Sequence, residues 1–352
     1  MIKWLNKKDI NYSNIEKYLN ISANSNWFTN FGPVSKLLEE RLRDILAIDD
    51  SKSIIVVSNG SHAMHAIIAA IENKHGIKRF AVPAYTFPSN VQGNLRNSII
   101  LDVNSDIGLD LAKAELIIND FDGIILTNIF GSVQDLTKYE EWCKLNNKLL
   151  ILDNAAAPAS YIKGKNSCNY GIASAISFHH TKTLGFGEGG AIVIDKEYEL
   201  EVRKVINFGF YNNQKYDINA NNWKMSDVSA AFIMQHLDNY TDIEEKHIKM
   251  YEYFKTNISN ISEVKILPNY SEKSLVSSLC VIFNNKVTID LASSLCNNEI
   301  EMKKYYFPLS ESCRNSKEIY SRILMYPCHI DMSLNDIDFI IENIKNIVSV
   351  NG

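Results

Sequence analysis

Seven short apolar runs, with helical stretches between many of them, constrain this chain more than any other feature. They are "SIIVVS" (53–58), "RFAVP" (79–83), "SIILDV" (98–103), "GIILTN" (123–128), "LLILD" (149–153), "SAISF" (174–178) and "GAIVID" (190–195). The first six are continuous rather than alternating, which is how strands covered on both faces read. Strands interleaved with helices predict an α/β unit with a mostly parallel sheet. The seventh run follows the sixth across a Gly-rich loop too short for a helical crossover, so it is expected to run antiparallel. A 352-residue chain with 46% hydrophobic residues has material for about two domains. A long helix is predicted to start at Met225–Asp227 and continue through "VSAAFIMQHLDNYTDIEEKHIKMYEYFKTNI", connecting to a second domain from about residue 240. Beyond it, "SSLCVIFN" (277–284) reads as a strand and "LNDIDFIIENIKNIV" (334–348) as an amphipathic helix capped by Ser333.

Charge and composition remove several function classes. The net charge of −5 does not favour a polyanion, so no nucleic-acid partner is expected. Cys143, Cys168, Cys280, Cys296, Cys313 and Cys328 are scattered and form no C-x-x-C pair, so they read as reduced thiols. The N-terminus carries charges throughout and has no long apolar segment, and no run reaches the ~20 residues that span a bilayer. A cytoplasmic protein without a membrane partner is expected.

The strand ends carry the reactive residue types. "VVSNGSHAMHAIIAAIE" puts Gly60 and Ser61 after a strand and at the start of an apolar helix. Amide N–H groups there are unpaired and the helix dipole favours an anion. Alone, the stretch is equally an ordinary turn capped by Ser61, and His62 and His65 read equally as core-edge histidines. "LLILDNAAAPAS" ends a strand on Asp153, where open α/β sheets bind ligands, although an isolated Asp there is commonly a cap. "VPAYTFPSN" offers Tyr85 and Phe87 as aromatic faces or as core. "SFHHTKTLGFGEGGAIVID" sets Lys182 among small, apolar and aromatic residues, five positions after Ser177. Lysine is seldom buried without a partner, and a desolvated amine loses its proton more easily and suits Schiff-base chemistry. Gly185–Gly190 is not a dinucleotide fingerprint, because it opens no helix. An anion cradle, a carboxylate, an aromatic face and a lysine at the strand ends of one sheet together match the needs of pyridoxal phosphate.

In these stretches the sequence resembles the DegT/DnrJ/EryC1/StrS nucleotide-sugar aminotransferases, over nearly the whole chain. "NWFTNFGP" (26–33), "SNGSHAMHAIIA", "VPAYTF", "NIFG" (128–131), "LDNAAA", "SFHHTKTLGFGEGGAIV", "NNWKMSDVSAA" (221–231) and "YPCHIDMSLNDID" (326–338) follow in the family's order. The resemblance implies the aspartate aminotransferase-like fold type I. That fold has a large domain with a seven-stranded mostly parallel sheet, here residues 1–239, and a smaller C-terminal α+β domain, residues 240–352. It implies Lys182 as the Schiff-base lysine and proton shuttle, and Asp153 as the partner of the pyridine nitrogen. Gly60, Ser61, the His62 amide and Ser177 would hold the phosphate, and Phe87 would stack on the ring. Asn222 matches a residue that reaches the cofactor phosphate of the other subunit, which implies a homodimer with shared active sites. Lys224 stands where the family usually has Arg, keeping the charge without the planar fork. Ala156 stands where relatives usually have Gln or His beside the cofactor's 3-oxygen; Asn128, His179 or water would substitute. Trp27, Phe28, Phe186, Lys224, Tyr306 and His329 are the expected substrate-binding residues.

The reaction so implied carries an amino group from an amino acid, by analogy L-glutamate, to C3 or C4 of a nucleotide-linked keto-deoxysugar. The pathway implied is that of a surface polysaccharide such as O-antigen, or of a glycoconjugate. One alternative is a sugar dehydratase of the same superfamily, with His in place of the lysine or with an iron–sulfur cluster; the cysteines lack cluster spacing. A non-catalytic regulator that binds pyridoxal phosphate is another alternative, with no DNA-binding module or basic tail in its favour.

Overall fold

All seven apolar runs become strands of one sheet in the computed structural model, which describes residues 1–211 and 216–351. The strands are β1 (Lys52–Val57), β2 (Phe80–Pro83), β3 (Ile99–Leu101), β4 (Gly123–Thr127), β5 (Leu149–Asp153), a small hairpin of β6 (Tyr161–Ile162) and β7 (Lys165–Asn166), β8 (Ala173–Ser177) and β9 (Gly190–Asp195). The large sheet has the order β1-β9-β8-β5-β4-β2-β3. β9 is antiparallel to both neighbours and the other pairings are parallel, as the short loop before β9 requires.

The helices are α1 (Tyr12–Ser25), α2 (Pro33–Ile45), α3 (Gly60–His75), α4 (Leu111–Glu115), α5 (Leu136–Leu145), α6 (Glu199–Val205), α7 (Asp227–Leu237), α8 (Tyr240–Ile258), α9 (Ile289–Ser294), α10 (Arg314–Arg322) and α11 (Leu334–Asn351). Successive strand residues point to opposite faces, and both faces are covered. Ile55 and Val57 pack with α3 and α6, whereas Ile54 and Val56 pack with α2 and α7. Ile124, Leu126, Leu150 and Leu152 pack with α5. Burial on both sides is why these strands tolerate no polar alternation.

The single long helix expected from residue 225 onward is two helices. α7 stops at Leu237 and α8 starts at Tyr240. The Asp238 carboxylate accepts hydrogen bonds from Tyr18 Oη (2.7 Å) and Asn14 Nδ2 (2.7 Å) of α1, which fixes the corner. Asn239 leaves helical geometry at φ −99°, ψ 18°. Asp and Asn trade helix for local hydrogen bonds at little cost.

β10 (Val264–Ile266), β11 (Ser278–Phe283) and β12 (Ile323–Pro327) form a second, antiparallel sheet, packed with α8 and α11 around an apolar cluster of its own. Ser333 caps α11 as a reciprocal box: its Oγ accepts the Asp336 N–H (3.3 Å) and Asp336 Oδ2 accepts the Ser333 N–H (2.7 Å). Ile2 bridges to Ile300 and joins this cluster, so the first residues pack with the last third of the chain. The six cysteines are buried free thiols. Among the described residues no helix is long and apolar enough to cross a membrane.

Candidate active site

β1, β2, β4, β5 and β8 run in one direction, so their C-terminal ends meet along one edge of the sheet. A cleft of about 750 Å³ opens there. Gly60, Ser61, His62, Phe87, Asp153, Ala156, Ser177, Lys182 and Tyr306, all expected site residues, line it. Trp4, Ser277, Ser278, Tyr305 and Met325 close the opposite side.

The anion end is the start of α3. The first N–H groups of a helix have no partner within it. Asn59 caps α3 by accepting the His62 N–H at 2.8 Å, so the His62 amide expected to meet a phosphate is already engaged. Gly60 and Ser61 remain as open backbone donors facing the cleft, at the positive end of the helix dipole. The absence of a side chain at Gly60 matters here. A Cβ would lie 2.8 Å from Ser177 Cβ, so only glycine lets the helix start approach the end of β8. The His62 ring turns away to Ser58 Oγ (2.6 Å) and stacks on Trp223.

Asp153 is buried at the end of β5. Its Oδ2 accepts from Asn90 Nδ2 at 2.7 Å and its Oδ1 from the Ala155 N–H at 3.1 Å. Burial pushes its carboxyl above the ordinary range, against the pull of Asn90, the Ala155 N–H and the positive charge of Lys182. Sequence reading passed over Asn90, although it is the last letter of "VPAYTFPSN". It is fully buried, lines the cleft and also donates to Thr86 Oγ1 at 2.9 Å. Among the described residues its Oδ1 has no hydrogen-bond partner.

Lys182 lies in the loop between β8 and β9, partly accessible from the cleft. Burial lowers its pKa from the usual lysine value, and the negative charge of Asp153 opposes that shift. A less basic amine and a buried acid in one cleft are the pair that Schiff-base chemistry with a pyridine cofactor asks for. Open amide donors at a helix start suit an anion. The residues present fit pyridoxal phosphate.

Of the two side chains considered as substitutes at Ala156, Asn128 is engaged at both ends. Its Nδ2 donates to Asn154 Oδ1 (2.6 Å) and its Oδ1 accepts the Gln134 N–H (2.9 Å). His179 lines the cleft, with Nε2 3.6 Å from Glu188 Oε1.

Several expected substrate residues stand outside the cleft of a single chain. Trp27 borders a separate hollow of about 520 Å³ with Lys36, Glu39 and Arg203. The Phe28 carbonyl accepts the Asp227 N–H (2.9 Å). Phe186 stacks on Phe232 at 5.6 Å. His329 is buried, its Nε2–H donating to the Lys3 carbonyl (2.9 Å). Lys224 Nζ donates to Asn222 Oδ1 (2.7 Å) and Asn207 Oδ1 (2.6 Å).

The model of the DegT/DnrJ/EryC1/StrS aminotransferase family matches residues 10–345. This chain belongs to that family. Its family is one of pyridoxal phosphate-dependent aminotransferases, and the chain is such an enzyme. It is 24% identical to a Shigella dysenteriae protein named dTDP-4-amino-4,6-dideoxy-D-glucose transaminase, over 94% of each chain. It is 24% identical to the GDP-perosamine synthase of Vibrio cholerae, over 84% of this chain and 82% of the other. The solved structure of DesI with its TDP-sugar product superposes with a TM-score of 0.83 at 17% identity, covering 96% of this chain and 90% of that one. Helicobacter pylori PseC, an aminotransferase of pseudoaminic acid biosynthesis, gives 0.82 at 17%, covering 97% and 96%. At such identities the two structures establish the aminotransferase fold.

Proposed function

We propose that this aminotransferase transfers an amino group from L-glutamate to C3 or C4 of a nucleotide-linked keto-deoxysugar. One observation carries the proposal: Lys182, Asp153 and the open start of α3 share one cleft. The names of the Shigella and Vibrio relatives support a nucleotide-linked sugar as acceptor. The Gly60 and Ser61 amides and the Ser177 hydroxyl would hold the cofactor phosphate, and Phe87 would face the ring. Bound pyridoxal phosphate supplies an aldehyde for amines and a ring that draws electrons from the substrate carbon. Asp153 holds a proton at the ring nitrogen. Lys182 Nζ takes the proton from the donor α-carbon and, in the second half of a ping-pong cycle, delivers one to the sugar carbon that receives the amine. Acid–base transfer of this kind contributes ~10²–10⁴-fold. On that side of the cleft Tyr306 stacks on buried Phe130 and meets Phe87 edge-on.

The test is mass spectrometry of products from dTDP-, UDP- and GDP-linked 3-keto and 4-keto sugars incubated with enzyme and glutamate. An aminated sugar is the expected product. A deoxygenated sugar would replace the reading with a dehydratase, and no half-reaction with any amino acid would replace it with a binding protein.

We further propose a homodimer in which Asn222 and Lys224 serve the partner's cleft. Asn222 is exposed, and exposed Phe208 and Phe210 stand near it. Light scattering is expected to give twice the chain mass of 40.0 kDa; a monomer at assay concentration removes the proposal.

A further inference from the structure

The first eleven residues form a strap from the segment 299–301 to the lysine loop. The Ile2 N–H donates to Glu299 O (2.6 Å) and the Glu301 N–H to Ile2 O (2.9 Å). The Trp4 N–H donates to Glu301 Oε2 (2.8 Å), and the Lys7 N–H to Asp331 Oδ2 (2.8 Å). Further on, the Asn11 N–H donates to Gln235 Oε1 of α7 (3.0 Å). Between these anchors Lys8 Nζ donates to the carbonyls of Lys182 (2.7 Å) and Gly185. His236 Nε2–H holds the intervening Thr183 carbonyl at 3.0 Å. Three carbonyls of the turn that carries Lys182 are thus held from outside the cleft, two of them by one ammonium.

We propose that Lys8 is a positioning residue for Lys182, and that through it the strap ties the lysine turn to the C-terminal side of the cleft. Among the described residues no carboxylate opposes its charge, and burial pushes the Lys8 ammonium down to about 8. Its acceptors are the turn's own carbonyls, so the turn and the ammonium fix each other. The same strap places Trp4 in the cleft wall, edge-on to Tyr305 at 6.4 Å. A displacement of about 1 Å at a reacting group can cost ~10²-fold in rate, which sets the scale of the effect.

The inference rests on Lys182 being the cofactor lysine, and the experiment keeps the two apart. Borohydride reduction of wild-type enzyme loaded with pyridoxal phosphate, then peptide mapping, tests Lys182 itself. A tag elsewhere would sink that assignment whatever Lys8 does. With the tag at Lys182, stopped-flow absorbance of cofactor uptake by the apoenzyme is compared in wild type, Lys8→Met, Lys8→Arg and Lys8→Gln, together with kcat and KM. Lys8→Met is expected to slow Schiff-base formation and kcat by ~10–100-fold with the donor KM within about threefold, and Lys8→Arg to recover most of the rate. Wild-type rates in Lys8→Met, or no recovery in Lys8→Arg, overturn the proposal. If Lys8→Met does not fold, Lys8→Gln decides: slower uptake than wild type supports the role, and equal uptake overturns it.

Discussion

Lys182→Ala is expected to lower kcat for transamination by at least about 10⁴-fold, because it removes the amine proposed both to bind the cofactor and to shuttle the proton. The fold should survive. Lys182 is in a loop, only partly buried, and its backbone bonds to His179, Gly185 and Lys8 do not use its side chain. The variant should still take up pyridoxal phosphate without a covalent link, through the Gly60 and Ser61 amides, Ser177 and Asp153. It also removes the positive charge that holds the Asp153 carboxyl down, so that carboxyl should rise further. Single-turnover absorbance with glutamate, alongside circular dichroism, separates lost chemistry from lost structure. Wild-type turnover in this variant would show that another group performs the chemistry.

The seven strands were legible because helices cover the sheet on both faces, which leaves an unbroken apolar run as the mark of each strand. The direction of β9 was legible from loop length alone. The break at Asp238–Asn239 was not, because the bonds that fix it come from Asn14 and Tyr18, over two hundred residues away. Asn90 was hidden for a similar reason. It follows β2, Asp153 ends β5, and β4 lies between those strands, so their contact exists only once the sheet order is known. Ser177 and Gly60 were found as separate motifs, but their dependence on one another appears only in the 2.8 Å approach a Cβ would make. Trp27 and His329 carry plausible chemistry in sequence, yet the chain uses one at a second hollow and the other to hold the strap.

Asp153→Asn is expected to lower kcat on the order of 10²-fold or more, the scale seen when one fixed electrostatic group is removed from a reacting centre. The change keeps size and shape. The single amide oxygen can keep one of the two bonds, from Asn90 Nδ2 or from the Ala155 N–H, while the NH2 group fills the place of the other oxygen, so the shape of the strand end is retained. The negative charge is lost, and with it the charge proposed to keep a proton on the ring nitrogen. The same loss acts on Lys182 with a definite sign. In the native protein burial lowers the Lys182 pKa and Asp153 raises it. Without the carboxylate only the lowering influence remains, so the free amine should persist to a lower pH. Cofactor uptake by the apoenzyme, followed against pH, should therefore show its midpoint displaced downward in Asp153→Asn even as turnover collapses. A structural role alone would weaken uptake at every pH without moving that midpoint. A midpoint that stays put or moves upward would mean that the two side chains do not share the field that this mechanism requires.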